Sequence, residues 1–257
     1  MKYFLWVVPL VAAVFLLAPQ TAFAMQPALS ASAKVSTAPP GLAKHLETGA
    51  ARPAPVSVRD IKTGDEGDDV TAVQKMLTKL HYYHGEISGI YDDEMIPAVW
   101  TFQKVQGLEI GETINAAMLQ ALQNPKEPTP LLPNGDDNRV EVDLSAQLMQ
   151  VYKDGELAIL THISSGSGRY YCSEGRCRYA TTPTGDYEVY RIVEGWETVP
   201  TGYMYRPLYF YGGFALHGSS TVPLEPDSHG CIRIPMPLAD LVSDTVEIGW
   251  PVHLRRP

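Results

Sequence analysis

Cysteine is scarce in this chain, with three in 257 residues. Cys172 and Cys177 lie close together and Cys231 stands apart. No second Cys or His pair with ligand spacing accompanies them, and the seven histidines are scattered, so a zinc site is not expected. Basic charge is also short: 20 Lys and Arg against 29 Asp and Glu, a formal net charge of −9. That balance argues against a nucleic-acid partner. After the first residues no apolar run is long enough to cross a bilayer. No internal repeat or long low-complexity tract appears.

The amino terminus carries an export pattern. Lys2 is followed by an apolar run from Tyr3 to Ala18, and Ala22-Phe23-Ala24 has the small-x-small form of a signal peptidase site. Residues 1–24 are therefore expected to be a signal peptide and Met25 the mature start. The alternative is an uncleaved membrane anchor. No cysteine stands near the cleavage site, which argues against a lipoprotein. Export permits a disulfide. Cys172-Ser-Glu-Gly-Arg-Cys177, flanked by Tyr170, Tyr171 and Tyr179, reads as a cross-linked hairpin, with two free thiols as the alternative. Closing so short a loop contributes roughly 2 kcal/mol on the chain-entropy model.

Residues 25–58 are rich in Ala, Pro and Ser without apolar periodicity, and read as a disordered spacer reaching on the order of 100 Å when extended. Met25 to Arg59 holds four bases and one acid, and Asp60 to Leu122 four bases and eleven acids. The basic tail either touches an anionic surface, polymer or lipid, or is merely solvated. Residues 59–123 read as three short helices. Val70, Val73, Leu77 and Leu80 recur at helical spacing after Asp68 or Asp69 as cap. Met95, Val99, Phe102 and Val105 follow Asp92 or Asp93, with Pro97 in the first turn. Ile114, Ala117, Met118, Ala121 and Leu122 follow Thr113. Residues 124–138 form a Pro-rich linker expected to hold the flanking domains apart.

Within 59–123, Gly64-Asp65-Glu66-Gly67-Asp68-Asp69-Val70, Val73-Gln74-Lys75-Met76-Leu77 and Ala98-Val99-Trp100-Thr101-Phe102-Gln103 with Gly107-Leu108 resemble the type 1 peptidoglycan-binding domain. The copy departs from that pattern at Leu108-Glu109-Ile110-Gly111 and at Ser88. The resemblance implies a cell-wall partner.

From residue 139 the period changes. Val140, Val142 and Leu144 alternate, and Gln147 to Tyr152 and Glu156 to Ile163 flank the turn Lys153-Asp154-Gly155. Asp186 to Val193, Leu208 to His217 and Val246 to Leu254 also read as strands, and Leu238 to Asp244 as a helix. The fold class expected is α+β and multidomain: a small three-helix domain, then a mostly β, sandwich-like or barrel-like domain over 139–257.

Cys231 is the candidate nucleophile. A free thiol is mostly protonated at neutral pH and needs a base or a stabilised thiolate. His217 ends the apolar stretch Phe214-Ala215-Leu216, so a strand would hold it rigidly. The carbonyl of Gly218 would accept from its imidazole and fix the tautomer. Gly230, just before Cys231, would let a substrate carbonyl approach backbone N–H groups. A buried small Gly-Cys and a core histidine are the plain alternative.

His217-Gly218-Ser219 and Ser228-His229-Gly230-Cys231-Ile232-Arg233 closely resemble the catalytic signature of L,D-transpeptidases of the YkuD type. Thr181-Thr182-Pro183-Thr184-Gly185 with Tyr187 and Val189 extends the likeness upstream, whereas Pro235-Met236-Pro237 stands where many members have an Asn. The resemblance implies a penicillin-independent cross-linking enzyme, without a cofactor, acting on peptidoglycan stems. Cys231 would be the nucleophile and His217 the base. Gly230 and Cys231 would supply the oxyanion N–H groups and His229 the substrate-side wall. Arg233 would serve structure or a stem carboxylate, and Ser228 would orient the turn. Trp196, Tyr203, Tyr205, Tyr209 and Tyr211 would line the stem groove or form an aromatic β-core, and the Cys172–Cys177 hairpin would make the opposite rim. A wall-facing, monomeric enzyme with no retained membrane span is expected.

Overall fold

The computed structural model describes residues 59–257. The expected signal peptide and spacer lie outside these residues.

Three helices form the first unit: α1 (Asp68–Lys79), α2 (Ile96–Gln106) and α3 (Ala116–Gln123). Their apolar stripes converge, with Val70, Leu77, Met95, Val99, Phe102, Ile114 and Met118 all buried. The caps differ from those expected. Gly67 precedes α1 without a side-chain cap, and Asp68 and Asp69 fall in its first turn, where they complement the helix dipole. Asp92 Oδ1 accepts from the N–H groups of Glu94 and Met95, capping the turn before α2, and Pro97 sits in the first turn of α2. Asn115, not Thr113, caps α3 by accepting from the Met118 N–H at 3.0 Å. Gln74 lies fully buried and ties the 88–90 turn to α1 through Gly89 and Ile90.

The second unit is a two-sheet sandwich with one helix. The strands of the first sheet are β1 (Arg139–Asp143), β2 (Leu148–Lys153), β3 (Glu156–His162), β6 (Gly185–Glu188) and β12 (Pro251–Arg255). They are ordered β3-β2-β1-β12-β6. The second sheet runs β11 (Ile232–Pro235), β10 (Phe214–Ser219), β9 (Gly202–Tyr211), β7 (Arg191–Ile192), with β8 (Trp196–Val199) also paired to β9. Helix α4 (Met236–Thr245) packs on β9, β10 and β11. Residues of both sheets and α4 share one core, including Val142, Met149, Leu216, Ile234, Val242 and Val252. The hairpin β4 (Tyr170–Ser173) and β5 (Arg176–Tyr179) stands off the sandwich and carries the Cys172–Cys177 disulfide.

Several sequence expectations need correction. Asp186 to Val193 is two strands in different sheets, β6 and β7, and of Val246 to Leu254 the strand begins only at Pro251. The stretch Leu208 to His217 is not one strand: Gly212 (φ +51) and Gly213 turn the chain between β9 and β10, which pair antiparallel. Nor does the Pro-rich segment hold the domains apart. Helix α2 packs on β3, and Leu160 of β3 is buried within the helical core. The Leu160 N–H donates to the His81 carbonyl at 3.0 Å, and the His162 N–H to Thr101 Oγ1 at 2.7 Å. An edge strand with buried apolar residues needs a cover, and the helical unit supplies it. The linker itself is fastened: Lys126 exchanges hydrogen bonds with Gln106, and the Leu131 N–H donates to Glu141 at 2.6 Å.

Candidate active site

Two adjacent parallel strands set the site. In the β10–β11 pair Leu216 faces Ile232 and His217 faces Arg233. Cys231 immediately precedes β11. Side chains alternate across a strand, so residues 215 and 217 project to the face used by 231 and 233. His217 and Cys231 therefore share one face of the sheet, at neighbouring positions. Tyr209, Met204 and Ala215 form a buried apolar floor against which Cys231 packs.

The turn before the cysteine is built from internal hydrogen bonds. Ser228 is buried; its Oγ donates to the Cys231 carbonyl at 2.5 Å and accepts from the Gly230 N–H at 3.0 Å. Thr182 Oγ1 donates to the Gly230 carbonyl at 2.7 Å and accepts from the Gly166 N–H. Gly230 has φ +133, and a Cβ there would stand 2.6 Å from the Phe214 ring, so only glycine fits. Both polar groups of Gly230 face protein. Its N–H therefore does not open toward the cleft, contrary to the oxyanion role expected of it. Ser228 bonds to both Gly230 and Cys231 within the turn.

The imidazole is fixed on one side. His217 Nδ1 meets the Gly218 carbonyl at 3.0 Å, so Nδ1 carries the proton and Nε2 presents its lone pair. Gly218 is also a close-approach point: a Cβ would sit 2.7 Å from Ala239 Cβ on α4. Burial pushes the His217 pKa down to about 4; the Gly218 bond opposes this and Arg233 adds to it. Burial pushes the Cys231 thiol up, opposed by the Ala215 N–H and by the charges of Arg178 and Arg233. Both shifts favour the uncharged forms, imidazole and thiol. The thiol points to the Gly213 carbonyl at 3.7 Å and to Met204 Sδ at 4.0 Å.

Two clefts meet at Cys231, divided by Val199, Thr201 and Met204 at the tip of the β8–β9 hairpin, which line both. One, of about 200 Å³, is lined by His217, Ser219, Ser228, His229, Arg233 and Tyr203. The other, of about 290 Å³, is lined by Tyr209 and by Tyr171, Arg176 and Arg178 of the disulfide-closed hairpin. The aromatic stretch thus divides. Tyr203 and Tyr209 reach the clefts, whereas Trp196 packs on Tyr205 and Tyr211 on Tyr187. The Tyr209 hydroxyl donates to Glu197 at 2.7 Å and its ring lies under Arg191, which holds it in the floor. Arg233 pairs with Asp227 at 3.1 Å.

Several contributing residues escaped the sequence reading. Ala215 acts through its backbone and Met204 through packing, so neither has a chemical signature. Arg178 and Tyr171 sit on an exposed hairpin. Asp227 adjoins the cysteine motif and Thr182 lies in the Thr-Pro stretch, and that adjacency was the available signal.

A family model described as the L,D-transpeptidase catalytic domain (YkuD) matches residues 137–254, and one for a peptidoglycan binding domain matches residues 66–122. A search of curated proteins finds no match to this chain. Among solved structures, the L,D-transpeptidase from Xylanimonas cellulosilytica is 36% identical at TM-score 0.72, the match covering 79% of this chain and 99% of that one. An L,D-transpeptidase from Stackebrandtia nassauensis is 21% identical at TM-score 0.44, covering 77% and 98%. With 36% identity across nearly the whole of the Xylanimonas chain, this protein belongs to the L,D-transpeptidase family.

Proposed function

We propose that this chain is an exported enzyme that forms 3→3 cross-links in peptidoglycan through a thioester on Cys231. His217 Nε2 takes the thiol proton as Sγ attacks the carbonyl of the third stem residue, a meso-diaminopimelate or related L-centre residue, in a tetrapeptide donor. The developing oxyanion is held by the Cys231 N–H. The C–N bond to D-alanine breaks, and His217 returns the proton to the leaving amine. A side-chain amine of a second stem then attacks the thioester and gives its proton to His217. The amide forms, and the proton returns to the sulfur, restoring the thiol. Water in place of the amine would release a tripeptide, the outcome of an L,D-carboxypeptidase.

One observation carries this reading: two clefts that share Val199, Thr201 and Met204 both reach Cys231, room for a donor and an acceptor. The neutral His217, with Nε2 unprotonated, suits a base that acts during attack rather than before it.

The test is incubation of the chain with purified disaccharide-tetrapeptide, analysed by mass spectrometry beside Cys231→Ala. The expected product is a 3→3 dimer that the variant does not make. Tripeptide alone, with an acceptor stem present, would replace the transfer reading by hydrolysis. No Cys231-dependent product would refute both.

A further inference from the structure

We propose that the β4–β5 hairpin is a carboxylate-binding wall: Arg178, with Arg176, holds a carboxylate of the stem peptide in the cleft beside Cys231. The inference rests on the stem-peptide reading given above and names what recognises the stem.

The hairpin register sorts its side chains. Tyr171 is opposite Arg178 and Ser173 opposite Arg176, so these four share one face. Cys172 opposite Cys177 and Tyr170 opposite Tyr179 share the other. The first face lines the 290 Å³ cleft that ends at the thiol. The second carries the disulfide and the Tyr170–Tyr179 ring pair, centroids 5.2 Å apart, which brace the hairpin from outside.

Arg178 is held in place without being neutralised. Its Nε donates to the Tyr171 hydroxyl at 2.5 Å, and the Tyr171 ring packs edge-on against His229 at 4.7 Å, two residues from Cys231. The two other arginines near the cysteine turn are already paired: Arg169 and Arg233 both bind Asp227. Among the described residues no carboxylate lies within salt-bridge distance of Arg176 or Arg178. Glu174 at the hairpin turn also lines the cleft, so this face sets two guanidiniums against one carboxylate. Arg178 stands close enough to Cys231 for its charge to favour the thiolate.

A tetrapeptide stem brings matching chemistry. Its terminal carboxylate lies one residue beyond the scissile amide, and acidic stem residues carry others nearby. A guanidinium fork anchored through Nε leaves its terminal N–H groups to bind such a group in two-point fashion. An enzyme that must recognise a stem ending one residue past the bond it cuts gains selectivity from such an anchor.

The test is calorimetric titration of the full chain carrying Cys231→Ala with three ligands: the free-acid disaccharide-tetrapeptide, its terminal amide and its side-chain amide. One amide is expected to bind about tenfold more weakly than the free acid, and which one identifies the carboxylate. Adding Arg178→Gln should abolish that preference, and Arg178→Lys should restore part of it. Equal binding of all three ligands by the Arg178 chain, or no binding of any, would overturn the proposal. So would an equal loss for all three on Arg178→Gln. The titration does not depend on turnover. An acid-over-amide preference in a chain that makes no Cys231-dependent product would keep the carboxylate site and refute the reaction.

Discussion

Two buried histidines in this protein have the same depressed basicity and opposite surroundings. Burial pushes both His162 and His217 down to a pKa of about 4. His162 lies where α2 meets β3, with both ring nitrogens engaged. Nδ1 accepts from Lys104 Nζ at 2.9 Å, and Nε2 donates to the Pro223 carbonyl at 3.0 Å. Trp100 of the helical unit packs edge-on against its ring. His217 has one nitrogen engaged by Gly218 and turns the other toward the cleft that holds Cys231. A shifted pKa therefore does not by itself mark a catalytic group. What separates the two, on the function proposed above, is that His217 keeps one nitrogen unengaged in the cleft that Cys231 also lines. The Lys104–His162 pair ties the helical unit to the segment after β10, which leads into the cysteine turn.

The largest expected effect separates the two by rate. His217→Gln should lower turnover by about 10³-fold, the usual weight of a positioned base, with little change in melting temperature. His162→Gln should do the reverse. It should cost about 2–3 kcal/mol in a urea titration, because Lys104 and the Pro223 carbonyl lose a buried partner, and leave kcat within a few-fold. A comparable kcat loss in both variants would break the distinction.

Acid titration sharpens it. In the unfolded chain each histidine binds a proton near pH 6.5, whereas the folded chain resists protonation until about pH 4. The unfolded state thus holds more protons in that window, and stability falls as pH drops through it, by up to about 3 kcal/mol per histidine. Denaturant midpoints measured from pH 7.5 to 4.5 should show a shallower decline in His162→Gln than in the parent chain.

Lys104→Met should destabilise by about 1–3 kcal/mol, since it leaves the Ala146 and Gln147 carbonyls and His162 Nδ1 without their donor. The ammonium is itself held down to about pKa 8 by burial, so removing its charge relieves part of that cost. The smallest effect is expected of Thr182→Val. It removes two hydrogen bonds, one to the Gly230 carbonyl and one from the Gly166 N–H, at about 0.5–1 kcal/mol each, and should lower kcat more than it raises KM by loosening the cysteine turn.

The site was more legible in the sequence than its supports. Cys231 and Ser228 lie in one compact motif and His217 opens a second, eleven residues upstream of Ser228, and the structure puts Cys231 and His217 on one sheet face. The helix stripes were legible because packing repeats every three to four residues. The break at Gly212-Gly213 was hidden by apolar residues that continue on both sides of it. The docking of α2 on β3 was hidden differently. Lys104 and His162 each look like ordinary polar residues, and 58 positions separate them. A Pro-rich composition suggested a spacer, but Gln106 and Glu141 supply partners that fix it in place. The motif around Gly230 does not show where its N–H points, because Ser228 Oγ sets that direction.

The most direct measurement is the intact mass of the protein during incubation with disaccharide-tetrapeptide, followed by peptide mapping. A transient adduct of disaccharide-tripeptide on Cys231, with D-alanine released and no adduct in His217→Gln on the same timescale, is the expected result. An adduct elsewhere, or full-rate acylation of Cys231 without His217, would contradict the assignment of this pair.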